Sequence, residues 1–254
     1  SYYANRRVLV TGHTGFKGAW LALWLEHLGA SVLGYSLDPP SDPALWPLIA
    51  DQTSVASRHG DIREVERLTS ALHEHRPELV FHLAAQSLVR RSYAEPLETI
   101  SSNVLGTAAL LEAVRNCSSV RAVVVVTSDK CYENQDWLWG YRESDPLGGH
   151  DPYSTSKACA ELVTNAYARS FFTNGQAGPA LATARAGNVI GGGDFGLDRL
   201  LPDMAKALAQ GETPVIRNPG AVRPWQFVLE PLAGYLLLGK ALAEQGQHFS
   251  GQWN

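Results

Sequence analysis

Arg7-Val8-Leu9-Val10-Thr11-Gly12-His13-Thr14-Gly15-Phe16-Lys17-Gly18 decides the fold. A short apolar run ends in Thr-Gly, and three glycines follow at intervals of three. An apolar stretch with helical spacing then begins at once. Arg7 to Thr11 predicts a buried strand. Trp20, Leu23, Trp24 and Leu28 recur at helical intervals over Gly15 to Leu28, and Gly29 ends that helix. Strand, glycine turn and helix in this order suit a dinucleotide. Glycines permit the sharp turn and let the backbone approach a diphosphate, while the helix N-terminus presents N–H groups and the positive end of its dipole. The spacing is GxxGxxG, not GxGxxG.

Outward from this turn, strands and helices alternate. Ser31 to Ser36 predicts a second strand and Val55 to Gly60 a third, with a proline-rich loop between them (Pro39, Pro40, Pro43, Pro47). Ile62 to His75 predicts a helix and Leu79 to Leu83 a fourth strand. Glu95 to Arg115 predicts a long helix with Leu97, Ile100, Val104, Ala108 and Leu111 on one face. Val120 to Val126 holds five valines in seven residues, a buried strand. Tyr153 to Phe172 predicts a second long helix, opened by Asp151 as cap and Pro152 at its first position. Leu181 to Arg185 predicts another strand. Continuous apolar strands alternating with helices imply an α/β fold, a doubly wound parallel Rossmann-type sheet covered on both faces. The expected organisation is a dinucleotide-binding domain over 1–187 and a small, incomplete substrate lobe over 188–254, with a helix near 230–244 packing back on the first domain.

Composition narrows the classes. The chain has 254 residues, 45% hydrophobic and 18% charged, which argues against disorder. Twenty-one basic residues against 25 acidic ones give no surface for nucleic acid. No apolar run approaches the roughly 20 residues of a membrane span, and Arg6-Arg7 lacks the apolar segment of a secretion signal. Cys117, Cys131 and Cys159 form no CxxC and stand near no histidine ladder, so neither a disulfide framework nor a metal site is expected. The cytoplasm is the expected compartment.

Candidate site residues follow the strand ends. Gly12, His13, Gly15, Phe16 and Gly18 form the expected cofactor turn. At the end of the second strand, Ser36 stands where an acid would hold the ribose, and Asp38 lies two residues on. No Arg stands there for a 2′-phosphate, which favours NAD over NADP. Asp61, with Ile62, is an adenine contact or, equally, a helix cap. Ala84 and Ala85 would let a cofactor pass closely over the sheet. Tyr153 and Lys157, four apart, share one helix face. A Lys ammonium beside a phenol favours phenolate and lowers a pKa that starts near ~10. Such a phenolate takes a hydroxyl proton while a nicotinamide takes the hydride. Thr127, an expected cofactor contact, and Ser128 end the valine-rich strand, and Ser128 would bind the same substrate oxygen. Asp129 and Lys130 add an acid and an amine beside it.

The chain resembles the extended short-chain dehydrogenase/reductases and, within them, the nucleotide-sugar 4,6-dehydratases of the CDP-glucose branch. The resemblance rests on the glycine turn, His82-Leu83-Ala84-Ala85-Gln86, Thr127 to Asn134, Trp137 to Glu143, Tyr153-Ser154-Thr155-Ser156-Lys157, Ala184 to Asp194, and Arg217 to Gln226. The glycine turn and the Tyr–Lys pair are common to the superfamily. Ser128-Asp129-Lys130 and Trp137-Leu138-Trp139 are narrower, and related dehydratases carry Glu where Lys130 stands. Ser87 and Phe227 depart from the branch, which has Pro and His there.

The resemblance implies NAD as a reused cofactor, a nucleotide-sugar substrate (CDP-glucose) and a homodimer through the two long helices, using Leu97, Val104, Leu111, Leu162, Val163 and Tyr167. Tyr153 would take the proton of the sugar 4-hydroxyl, Asp129 would protonate the departing 6-hydroxyl, and Lys130 would serve near C5. Asn188 and Arg223 resemble the substrate's diphosphate ligands, and Arg199, at a helix start, is expected to face the nucleotide. Family members continue past Asn254, so a substrate pocket completed by further residues is expected. A nucleotide-sugar epimerase of the same fold and a non-catalytic NAD-binding protein are the alternatives.

Overall fold

Nine strands, β1 (Arg7–Thr11), β2 (Ser31–Ser36), β3 (Ala56–His59), β4 (Leu79–His82), β5 (Ala122–Val126), β6 (Ala180–Ala184), β7 (Asn188–Ile190), β8 (Trp225–Phe227) and β9 (Gly251–Trp253), occur among the described residues. The structure, a computed structural model, describes residues 1–172 and 178–254. Seven strands form one sheet in the order β3-β2-β1-β4-β5-β6-β9, every pair parallel. β7 and β8 form a separate parallel pair.

The helices are α1 (Phe16–His27), α2 (Leu45–Ile49), α3 (Val65–His75), α4 (Val89–Ala94), α5 (Pro96–Ile100), α6 (Gly106–Arg115), α7 (Pro152–Tyr167), α8 (Leu200–Ala209) and α9 (Leu229–Gln245). Alternate strand residues point to opposite faces. Val8, Val10, Phe81, Val124 and Val126 therefore pack in one core with residues of α1 and α9. Leu9, Val80, Val123 and Val125 pack in the other with residues of α3 and α6.

Several boundaries differ from the sequence expectation, each for a physical cause. Pro47 lies inside α2 rather than in a loop, because it falls in the first helical turn, where its missing N–H costs nothing. The third helix begins at Val65, not Ile62. Asp61 accepts the backbone N–H of Arg63 and holds residues 61–63 in a turn, and Glu64 takes the cap position. Asp61 therefore does not cap the helix. The long helix of 95–115 is α5 and α6 joined by a π-helical segment, Ser101–Leu105. On α1 the innermost residues are Ala19, Leu21, Ala22 and Leu25, while Trp20, Leu23, Trp24 and Leu28 are only half-buried. Small residues let the helix lie close on the sheet, and the tryptophans cover its flanks; Trp20 Nε1 donates to the Gly192 carbonyl at 2.9 Å.

Residues 188–254 divide between two places. α9 lies on the sheet, so close to β4 that a Cβ on Gly239 would stand 2.8 Å from the Phe81 ring. β9 adds the seventh strand beside β6. The β7–β8 pair and α8 lie outside the main sheet.

The tightest contact in the turn is the closure of α1 onto the end of β1. A Cβ on Gly18 would stand 2.0 Å from the Gly12 carbonyl oxygen. Gly234, exposed in the interior of α9, has no atom within 4 Å of such a Cβ. Gly18→Ala should lose about 2–3 kcal/mol of stability in urea unfolding, by forcing backbone apart. Gly234→Ala should gain about 0.5–1 kcal/mol from helix propensity. Equal effects at the two positions would contradict the packing described.

Candidate active site

Because the main-sheet strands are parallel, β1, β4, β5 and β6 end at one edge. Between β1 and β4 the chain order reverses, and a crevice opens at such a point. Here Gly12, at φ 77°, sits so near β4 that a Cβ would lie 2.7 Å from Ala84 N. Thr11 Oγ1 meets His82 Nδ1 at 2.8 Å and accepts from Ala84 N at 3.3 Å. Gly15 caps α1 with no side-chain acceptor, and among the described residues no side chain caps the first N–H groups of the helix. The bare turn, the uncapped helix start and the half-buried Ala84 and Ala85 form a cradle that fits a dinucleotide diphosphate.

Other residues of the expected cofactor set are turned to structural work. His13 is fully buried, its Nε2 2.8 Å from Ser57 Oγ and its ring edge-on to Trp46; Gly34 leaves it the space. Burial pushes the imidazole down to about 4. Its contribution to a ligand is therefore confined to its backbone. Ser36 Oγ pairs with Thr14 Oγ1 at 2.8 Å, which ties the end of β2 to the glycine turn. Phe16 is half-buried at the start of α1, beneath Gly191. The Asp61 carboxylate is bound by Arg63 Nε at 2.9 Å, and that guanidinium also reaches Glu98 at 2.7 Å. Ile62 is buried beneath Gly106.

The catalytic candidates converge after β5 and at the start of α7. Asp151 caps α7, accepting from Ser154 N at 2.9 Å, and Tyr153 and Lys157 follow on the buried face. Ser128 Oγ donates to Asp129 Oδ1 at 3.0 Å and accepts from Lys130 N at 3.2 Å. Asp129 and Lys130 are half-buried in a short 3₁₀ turn. Burial pushes the Tyr153 phenol up to about 12; a hydrogen bond with Ser128 opposes this, and the Asp129 charge adds to it. The sequence expectation of a phenol lowered by Lys157 is thus corrected. Lys157 Nζ donates to the Val126 carbonyl at 3.2 Å, and burial followed by Lys17 brings the amine down to about 8. Behind it, burial and then Lys157 hold His82 down at about 3.

Beneath these groups lies an ion pair that the sequence did not single out. Glu161 accepts from Arg185 Nε at 3.0 Å and Nη2 at 2.9 Å, from Thr127 Oγ1 at 2.5 Å and from Thr183 Oγ1 at 2.6 Å. Both charges are buried, with side chains 1–2% exposed. The Thr127 hydroxyl, expected at the cofactor, is used here instead.

The expected substrate ligands are spread apart. Arg199 precedes α8, pairs with Asp194 at 2.8 Å and donates to Ser87 Oγ at 3.1 Å; its charge reaches Tyr153 and Lys17. Asn188 opens β7, half-buried. Arg223 is exposed and donates to the carbonyl of Val222 at 2.7 Å. Lys17 and Tyr235 were not assigned roles from sequence. Lys17 lies within the field of Asp129, Arg199 and Lys157, and Tyr235 within that of Tyr153. The signal for Lys17 was that it is the one Lys or Arg in the glycine turn, Thr11 to Gly18.

With this geometry the chain matches known proteins. Residues 9–244 match the family described as GDP-mannose 4,6 dehydratase. A CDP-glucose 4,6-dehydratase of Salmonella typhimurium is 52% identical over 257 aligned residues, covering 100% of this chain and 72% of that protein. A dTDP-glucose 4,6-dehydratase of Xanthomonas campestris is 32% identical, covering 87% of this chain and 64% of that protein. Among solved structures, DesIV, a dTDP-glucose 4,6-dehydratase of Streptomyces venezuelae with NAD and TYD bound, superposes with a TM-score of 0.82 at 29% identity. That match covers 97% of this chain and 74% of that one.

Removing one partner of a buried pair strands the other charge. Glu161→Gln should therefore cost about 3–5 kcal/mol in urea unfolding. A loss under about 1 kcal/mol would show that the network does not hold α7 to the sheet.

Proposed function

Because the chain belongs to the family described as GDP-mannose 4,6 dehydratase, we propose that it is an NAD-dependent hydro-lyase that converts CDP-glucose to CDP-4-dehydro-6-deoxy-glucose. The observation that carries this is the placement of an acid, Asp129, against the Ser128–Tyr153 pair, with Lys130 next to it in the same short turn. The 52% identity to a CDP-glucose 4,6-dehydratase supports the choice of sugar nucleotide. Oxidation at C4 alone, as in an epimerase, needs Tyr153 and Ser128 but no acid at C6.

The reaction is redox-neutral. C4 loses a hydride and its hydroxyl a proton. The resulting ketone acidifies the C5 hydrogen, the C5 proton and C6 hydroxyl leave as water, and C6 and C5 regain hydride and proton. NAD, when bound, supplies the hydride acceptor and donor. Gly12, Gly15, Gly18, Ala84 and Ala85 would hold it, together with Lys157. Ser128 donates to the 4-oxygen and Tyr153 takes its proton. The negative charge of Asp129 raises the Tyr153 phenol. An Asp129 that carries the proton for the 6-hydroxyl removes that charge and makes the Tyr153 phenolate easier to form. Lys130 acts at C5, as base or as cation stabilising the enolate. Arg199 and Asn188 bind the substrate diphosphate, joined by Arg223, which must approach from the surface. The β7–β8 pair and α8 form the substrate lobe. No helix among the described residues is long and apolar enough to cross a membrane; we place the protein in the cytoplasm.

Incubation with CDP-glucose should give a product lighter by one water in mass spectrometry. Tyr153→Phe should abolish this. Lys130→Gln should still oxidise C4 yet slow exchange of the C5 hydrogen with deuterated water. A product of unchanged mass would favour the epimerase, and wild-type exchange in Lys130→Gln would remove Lys130 from the chemistry.

The protein also acts as a homodimer through α4 to α7 in this proposal. Tyr93, Leu97, Leu105 and Leu162 are 57–83% exposed on these neighbouring helices, an apolar surface that a monomer would leave in water. Val104, Val163 and Tyr167 are half-buried beside them, whereas Leu111, expected on this face, is fully buried in the core. Light scattering should give the mass of a dimer and, for Leu97→Glu/Leu162→Glu, of a monomer. A monomer mass for the wild type at micromolar concentration would contradict the proposal.

A further inference from the structure

Residues 191–199 reach from one wall of the dinucleotide cradle to the other. At one end they rest on the helix that leaves the glycine turn. A Cβ on Gly191 would stand 3.1 Å from the Phe16 ring, and one on Gly193 would stand 2.8 Å from Leu45 of α2. The Gly192 carbonyl accepts from Trp20 Nε1 at 2.9 Å. At the other end, Arg199 Nη2 donates to Ser87 Oγ at 3.1 Å, and Arg90 of α4 pairs with Asp198 at 2.8 Å. Phe16 directly follows Gly15, and Ser87 stands two residues past Ala85. The segment therefore crosses the crevice where the sheet order reverses, over the bare backbone of Gly12 and Ala84. The Arg199 charge acts on the Tyr153 phenol, which places this crossing over the catalytic cleft as well.

The two ends are held unequally. At the α1 end, glycine backbone packs closely on apolar side chains. Within the segment, Asp194 accepts from Arg199 Nη1 at 2.8 Å and from Gly196 N at 3.1 Å, and its side chain is only 7% exposed, so the segment holds its shape as one piece. At the β4 end, Ser87 is exposed, and the side chains of Arg90 and Asp198 are 63% and 39% exposed. Pairs exposed to this extent contribute little, so this is the end that opens. We propose that residues 191–199 form a strap across the dinucleotide cradle, hinged on α1 and latched at Ser87 and Arg90, and that the latch must release before a dinucleotide enters or leaves. This rests on the NAD proposal above. Ser87 and Arg90 are then positioning residues that act through Arg199 and Asp198. A strap that closes over the empty and the occupied cradle alike sets the rate of exchange without setting the affinity. It keeps the cofactor in place between the removal of hydride from C4 and its return to C6.

Stopped-flow measurement of NADH fluorescence, on protein stripped of dinucleotide, tests this. In Ser87→Ala and in Arg90→Met the association and dissociation rates of NADH should both rise about two- to five-fold. In the double variant both should rise about ten-fold, with the dissociation constant held within about two-fold. Wild-type rates in the double variant would overturn the strap. Faster dissociation with unchanged association would overturn it too, because it would make Ser87 and Arg90 ligands of the dinucleotide. Slower association would do the same, as the mark of a damaged cradle. Wild-type protein that bound no NADH would contradict the NAD proposal itself, and the strap with it.

Discussion

The Glu161 carboxylate is the interaction on which the site depends. It gathers Thr127 from the end of β5, Thr183 and Arg185 from β6 and the strand's end, all onto α7. α7 carries Tyr153 and Lys157; the chain after β5 carries Ser128, Asp129 and Lys130. The two halves of the proposed centre therefore meet at a geometry fixed one layer below the surface. A buried ion pair is a costly way to stabilise a fold, since desolvation offsets most of the Coulombic gain. Its four hydrogen bonds have another consequence: they leave few alternative ways to dock α7 on the sheet.

A second constraint acts from the other side of the cleft. Gly18 lets α1 close onto Gly12, and Gly12 lets β1 close onto Ala84. The two contacts set a bare backbone surface at the point where the sheet order reverses. Lys17 leaves this surface toward the catalytic groups, so cations from α1, α7 and the segment before α8 share one cleft with Asp129. Such a concentration of positive charge suits phosphates, a leaving hydroxyl and a developing enolate.

Much of this was legible in the sequence because it is local. Strands buried on both faces read as apolar runs, and Tyr153 and Lys157 read as a pair because one helical turn separates them. The inner face of α1 was not legible, because that helix is apolar nearly all round and only its docking decides which side is innermost. The π-helical turn at Ser101–Leu105 leaves no distinct pattern. β9 spans only three residues and exists through its pairing with β6. Glu161 and Tyr235 were missed for the same reason: each meets its site across the tertiary structure. The pKa of Tyr153 was read with the wrong sign because spacing shows that Lys157 shares its helix face, but not that the phenol is buried and that the charges acting on it come from Asp129, Arg199 and Asp151.

In the proposed reaction one cleft both removes a hydrogen from C4 and delivers it to C6. CDP-glucose carrying deuterium at C4, turned over in ordinary water, tests this directly by nuclear magnetic resonance of the product. A dehydrated product with that deuterium on C6 is expected. Deuterium lost to solvent, or retained at C4, would contradict it.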